Sequence, residues 1–236
     1  MIAAEACLLL VAAEAREFAG LLSHCRGIRK LDWPVQFARQ GEMRERPMVM
    51  VSNGAGPANA ATALEVARDR LAAGAVLSTG FCGALDPEYR IGDVFVATSL
   101  LMDSETVQID LPECDRTFRQ GTLLSVDRVA QTVEEKRALR DRGASAVEME
   151  AAGVARLVRQ WELPLFCIRV VTDRAGEGFA LDLNSARLPD GRFSTRRILA
   201  SAIRRPAAGI PELFRLYRRS RIAAQSLGDF IADCRF

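Results

Sequence analysis

The sequence predicts an α/β fold: a central mixed, largely parallel sheet covered by helices on both faces, followed by a helical, arginine-rich C-terminal segment. Three observations predict it. Short apolar runs rich in β-branched and small residues recur along the chain, and Ala-rich segments with helical spacing lie between several of them. The composition is half apolar but poor in rings, 49% hydrophobic against 6% aromatic, which suits thin aliphatic layers in close contact. Strands that alternate with helices join by crossovers, and the resulting parallel sheet is buried on both faces. At 236 residues the chain can bury one large core. A single domain is expected, with its core at about 7–175 and a helical segment at about 176–236.

The elements follow in order. The first strand is 7–12, CLLLVA. Its apolar stretch has Glu5 before it, Glu14 after it and no basic residue ahead, so it is not a secretory signal. Further strands are expected at 48–51, 75–78, 93–98, 122–126 and 165–171, and helices at 58–72 and 151–161, each helix with charge on one face. The last fifty or so residues are helical in pattern and broken by Pro189, Gly191, Pro206, Gly209 and Pro211. No apolar run approaches the length of a membrane span, so contact with a membrane would be peripheral.

Charge is unevenly spread. Formal net charge is +2, yet between Arg187 and Arg221 ten arginines face only Asp190 and Glu212, so the rest of the chain is acidic. The tail is a solvated helical face or a surface for anionic lipid. Nucleic acid is not the expected partner, because no ladder of stacking rings is interleaved with these arginines. The six cysteines (7, 25, 82, 114, 167 and 234) form no C-x-x-C pair and no metal-like spacing. Free thiols in apolar runs point to a reducing, cytoplasmic setting. With His24 as the single histidine, histidine-based catalysis and histidine-rich metal sites are not expected, and no metal is assigned.

Three segments can carry chemistry. The turn Ser52-Asn53-Gly54-Ala55-Gly56-Pro57, between a strand and a helix, offers free backbone N–H groups to an anion or a sugar hydroxyl, or is simply a turn. It lacks the third glycine and the following acid of a dinucleotide fingerprint. The segment Thr79-Gly80-Phe81-Cys82-Gly83-Ala84 reads as a glycine-rich bend after a strand, where backbone can approach a ligand. Cys82 has no base in sequence reach and is not expected to be a nucleophile. The third is Val147-Glu148-Met149-Glu150-Ala151, followed one helix later by Ile168-Arg169-Val170-Val171-Thr172-Asp173. Acids at the carboxyl ends of strands lie where open α/β sheets bind ligands, although either acid alone serves equally as a helix cap.

Taken together, and in this order and spacing, these motifs resemble the purine nucleoside phosphorylases and the methylthioadenosine/S-adenosylhomocysteine nucleosidases over about residues 7–175. The tail with Leu188-Pro189-Asp190-Gly191-Arg192 and Arg204-Arg205-Pro206 is similar to the hopanoid-associated phosphorylases, which act on an adenosylated hopane lipid. The resemblance implies a three-layer, phosphorylase/hydrolase-like fold, a homo-oligomer and cleavage of an N-glycosidic bond that releases adenine from a 5′-substituted adenosine. Asp173 would be the general acid at N7, with its pKa raised by burial, and Glu17 would activate water. Glu150 would hold the ribose hydroxyls, Met149 would pack on sugar or base, and Glu148 would support them. Gly54, Phe81, Cys82, Gly83 and Val129 would complete the substrate site.

Two positions depart from the family pattern. Phe81 replaces a serine that helps hold phosphate or the attacking water, and Val129 stands where a base-stacking ring is usual. Both suit an apolar substituent, and the first favours water over phosphate, which stays an optional co-substrate; no other cofactor is implied. A lipid-linked substrate would bring the basic tail to the inner membrane face. The alternatives are a methylthioadenosine/S-adenosylhomocysteine or futalosine nucleosidase, a nucleoside-binding protein without turnover, and a dinucleotide-dependent enzyme.

Overall fold

The computed structural model describes residues 7–236. Strand β1 (Cys7–Ala12) runs parallel between β4 (Arg46–Ser52) and β5 (Ala73–Ala84). Its alternate residues serve two cores: Leu9 and Val11 pack with one, Leu8, Leu10 and Ala12 with the other. That is why this strand is an unbroken apolar run. Outside β4 lie β3 (Phe37–Met43) and β2 (Arg26–Lys30), both antiparallel, and every residue of β2 is exposed.

The largely parallel sheet expected from the sequence is corrected to a sheet that closes on itself. β5 is 12 residues long, because the segment 79–84 continues the strand instead of bending away. Beyond Ser78 it has outrun β1, and the freed edge takes up β9 (Ala146–Glu148) antiparallel at Gly83 and Ala84. From β9 the ladder passes through β8 (Arg119–Ser125), β6 (Val94–Met102) and β10 (Leu165–Asp173), and β10 pairs back to β5. A five-stranded barrel thus shares β5 with the open sheet. Closure mixes directions: β1–β4, β1–β5, β5–β10, β6–β8 and β8–β9 are parallel, and an equal number of pairings is antiparallel, including the short edge strand β7 (Glu105–Gln108) on β6.

Helices cover both faces. α2 (Pro57–Arg68) and α4 (Ala151–Gln160) bury an alanine-rich seam, Ala60, Ala63, Ala67, Ala151, Ala152 and Ala155, which lets them lie close against the sheet. On the other face, the short α1 (Ala19–Leu22) packs with the final turns of α7 (Pro206–Asp233) through Leu21, Leu227, Phe230 and Ile231. The core therefore extends past residue 175: the end of α7 is part of it. α3 (Val133–Arg140) precedes β9, and between β10 and α7 come α5 (Leu183–Ala186) and α6 (Thr195–Arg204).

Candidate active site

Acids from three parts of the chain gather around the second half of β5. Glu17 stands in a 3-10 turn, Ala15–Phe18, directly after β1 and is buried. One carboxylate oxygen accepts from the Glu14 N–H at 2.8 Å and the other from the Phe81 N–H at 2.9 Å. Gly80 leaves the room for it, since a Cβ there, at φ 139°, would lie 2.6 Å from Glu17 Oε1. Gly83 does the same for Asp173, whose Oδ2 would be 2.8 Å from an added Cβ. The two glycines that looked like turn formers are instead the places where β5 presses against two carboxylates.

Glu150 reaches the group from the loop after β9. Strand geometry ends at Glu148, so Glu150 turns out of the ladder and its Oε1 accepts the Gly56 N–H at 2.9 Å. This links the Gly54–Gly56 turn to the acid cluster. Glu148 is occupied by the protein itself. Its carboxylate accepts the N–H groups of Glu150 and Ala151 and pairs with Arg169 at 2.6 Å, with both side chains sealed from solvent. Glu148, not Glu150, caps α4, and Arg169 offsets the cost of burying it. Met149 is buried between the two acids.

Burial, reinforced by the charges of Glu148 and Glu17, pushes Glu150 up to about 8, against Arg169 and the Gly56 N–H. Burial also pushes Glu17 up, although the Glu14 N–H opposes it. A carboxyl whose folded pKa exceeds its ordinary value holds a proton that the unfolded chain releases. Glu150 therefore favours folding fully below about 4.5, and that contribution is lost as pH climbs through about 8. The thermal midpoint should fall across this interval, and Glu150→Gln should flatten part of the slope. An identical slope in the variant would show that Glu150 is not the group responsible.

Asp173 is buried and paired with a cation that the sequence reading did not name. Its Oδ2 accepts from Lys136 Nζ at 2.5 Å, and its Oδ1 accepts from Thr172 Oγ1 at 3.0 Å. Lys136, on α3, is fully buried, and its other two protons go to the carbonyls of Arg174 and Glu177 at 2.7 and 2.9 Å. All three donors of the ammonium are used. Cys82 is buried, and desolvation holds its thiol well above the ordinary range, so it has no thiolate character. Among the described residues no cluster of His, Cys, Asp and Glu is spaced to hold a metal.

Residues 176–194 form a strap across this region. Val129 is clamped by Asn184, which accepts its N–H at 2.9 Å and donates to its carbonyl at 3.0 Å. Arg187 donates to the carbonyls of Ala55 and Asp127, both at 2.6 Å, and Ala55 N–H donates to Gly191 at 2.9 Å. The strap thus ties the Gly54–Gly56 turn to the loop that carries Val129. The structure brings Glu17, Phe81, Cys82, Gly83, Glu148, Met149, Glu150 and Asp173 together around one strand end, with Gly54 and Val129 held beneath the strap. Sequence reasoning missed Lys136, Asn184 and Arg187. Lys136 lies in the run VEEKRALR, whose charge pattern is that of a solvated helix, and nothing local marks it as buried.

A family model described as the phosphorylase superfamily matches residues 9–113 and 104–204. The chain is 20% identical to a 5′-methylthioadenosine/S-adenosylhomocysteine nucleosidase of Oceanobacillus iheyensis, covering 80% of this chain and 96% of that one. It is 23% identical to an aminodeoxyfutalosine nucleosidase of Campylobacter jejuni, covering 80% and 95%. Among solved structures, a Neisseria meningitidis 5′-methylthioadenosine/S-adenosylhomocysteine nucleosidase in complex with methylthio-immucillin-A superposes with a TM-score of 0.73 at 22% identity, covering 96% and 97%. A Helicobacter pylori futalosine hydrolase gives 0.68 at 17% identity, covering 96% and 95%. With its strand-end acids, shared β5 and matched length, the chain belongs to the phosphorylase superfamily.

Proposed function

We propose that the protein cleaves the N-glycosidic bond of a 5′-substituted adenosine and releases adenine. The observation that carries this reading is the gathering of Glu17, Glu150 and Asp173 around Gly80–Gly83, each in a different environment. The C1′–N9 bond breaks with its electron pair moving into the purine, Asp173 passes to N7 a proton that its carboxylate has first taken up from solvent, and the sugar becomes oxocarbenium-like. Glu150 holds the ribose hydroxyls and, once ionised, stabilises that positive charge. Water attached through Glu17 attacks C1′ and gives its proton to that carboxylate. Met149 packs on the sugar, and Glu148 with Arg169 fixes the backbone from which Glu150 projects. Gly54, Phe81, Cys82, Gly83 and Val129 line the substrate, and no metal or resident cofactor takes part.

The 5′ group in this reading is large and apolar, an adenosylated hopanoid or similar lipid, because Phe81 and Val129 place apolar surface where the family pattern has polar or stacking groups. The enzyme then works in the cytoplasm at the inner membrane face, as a homo-oligomer. The names of the relatives favour a second reading, a methylthioadenosine/S-adenosylhomocysteine or futalosine nucleosidase.

The test is incubation with adenosine derivatives, with and without phosphate, followed by mass identification of the sugar product. Free ribose with any 5′ substituent indicates hydrolysis, and ribose 1-phosphate indicates phosphorolysis. Tight nucleoside binding with no adenine released from any derivative would leave a binding protein instead.

A further inference from the structure

We propose that the outer face of α6 and of the first half of α7 is a docking surface for an anionic lipid bilayer. This deepens the membrane-side reading above and rests on it for its purpose, while its geometry stands alone. Ile203, Phe214 and Tyr217 are 70%, 73% and 65% exposed, and Leu199, Ile210 and Ile222 join them at the surface. On α7 the spacing of Ile210, Phe214, Tyr217 and Arg221 places them along one helix face, and on α6 Leu199 and Ile203 stand one turn apart. So much exposed aliphatic and aromatic surface on two adjoining helices marks a contact site.

The charge around it identifies the occupant. Arg196, Arg197, Arg204, Arg205, Arg218 and Arg221 are all exposed beside these apolar residues. Glu212 is the only acid between Thr195 and Ile222, and it is buried, accepting from the N–H groups of Ala180 and Leu181. The charged side chains that these two helices themselves expose between Thr195 and Ile222 are therefore all cationic. Two copies related by a twofold axis through this face would set arginine against arginine. A bilayer meets both requirements at once: ring and aliphatic groups enter the headgroup and acyl boundary while guanidinium groups stay at the phosphates. No helix of the described residues is long and apolar enough to cross a membrane, so the contact lies in the interface plane.

The placement matters for the site. α6 begins directly where the strap 176–194 ends, and Arg219 of α7 pairs with Glu177 at 2.6 Å at the strap's other end. The docking face and the cover of the acid cluster are one continuous piece of chain. Bilayer contact sets the strap, and with it the way into the site, against the lipid.

The experiment is vesicle co-sedimentation of the full chain with phosphatidylcholine alone and with added phosphatidylglycerol. Two variants test the two components: Ile203→Glu with Phe214→Glu, and Arg218→Gln with Arg221→Gln. The expected result is binding only to the anionic vesicles, weakened by salt, and weakened about tenfold or more by either pair of changes. Adenine release from a soluble 5′-substituted adenosine is measured alongside and should be unchanged in both variants. Absence of anionic-lipid binding, or variants that bind like the parent, would overturn the proposal. So would substitutions that dissociate an oligomer without affecting vesicle binding, which would assign the face to a second copy. Failure of adenine release with vesicle binding intact would strike the nucleosidase reading and leave the docking surface standing.

Discussion

Asp173→Asn is expected to lower kcat by about 10²–10⁴-fold while leaving nucleoside binding nearly intact. The amide keeps the shape of the side chain and, with its oxygen toward Lys136, the acceptor for the ammonium, while its NH2 can donate to Thr172 Oγ1, so the end of β10 should hold its position. What it loses is the carboxylate that takes up a proton and passes it to N7 as the glycosidic bond opens. The loss should therefore fall on the chemical step, with KM and the affinity for an adenine-containing inhibitor changed little. Measurement of kcat, KM and inhibitor binding on the same preparation checks it. A variant that turns over at the parent rate would remove Asp173 from the mechanism and move the acid to another group.

The second large effect is on stability. Lys136→Met keeps the length and volume of the side chain but removes the ammonium. Asp173 is then left as a buried carboxylate without its cation, and the carbonyls of Arg174 and Glu177 lose their donor. The Lys136 side chain is 1% exposed and that of Asp173 11%, so little solvent is at hand to replace the interaction. Breaking such a pair from one side costs about 3–5 kcal/mol. For a chain of this size that corresponds to a fall of roughly 10 °C in Tm. Calorimetry or circular dichroism on the two proteins decides it, and a Tm within a degree or two of the parent would mean that Asp173 is neutral or finds another partner. The double variant Lys136→Met with Asp173→Asn should recover part of the loss, because no unpaired charge then remains buried.

Much of the architecture was legible because burial writes itself into sequence. β1 and β10 are covered on both faces; β1 stands out as a continuous apolar run and β10 as one broken by Arg169. The strand-end acids Glu150 and Asp173 were visible because a carboxylate next to such a run is chemically out of place. The glycines of β5 misled: local rules assign Gly80 and Gly83 to a bend, while their real partners, Glu17 and Asp173, come from 63 and 90 residues away. Barrel closure was likewise invisible, since it depends on β9, a strand of three residues. β2 and β7 went unseen because most of their residues face solvent and carry no apolar alternation. Lys136 shows the general difficulty: a buried lysine cannot be told from a surface one until the carboxylate and the two carbonyls that receive its protons are in place.

The last strand of the open sheet also governs how copies of the chain meet in concentrated solution. Among the described residues β2 leaves one side of its backbone unpaired, and an unpaired strand is a template for another chain to add to. Here the template carries Arg26, Arg29 and Lys30, all facing water. A second copy approaching edge to edge would align its own cations with these, so the ladder cannot propagate from molecule to molecule without bringing like charges together. Replacing those side chains by neutral ones would turn a guarded margin into a seed for fibrous growth.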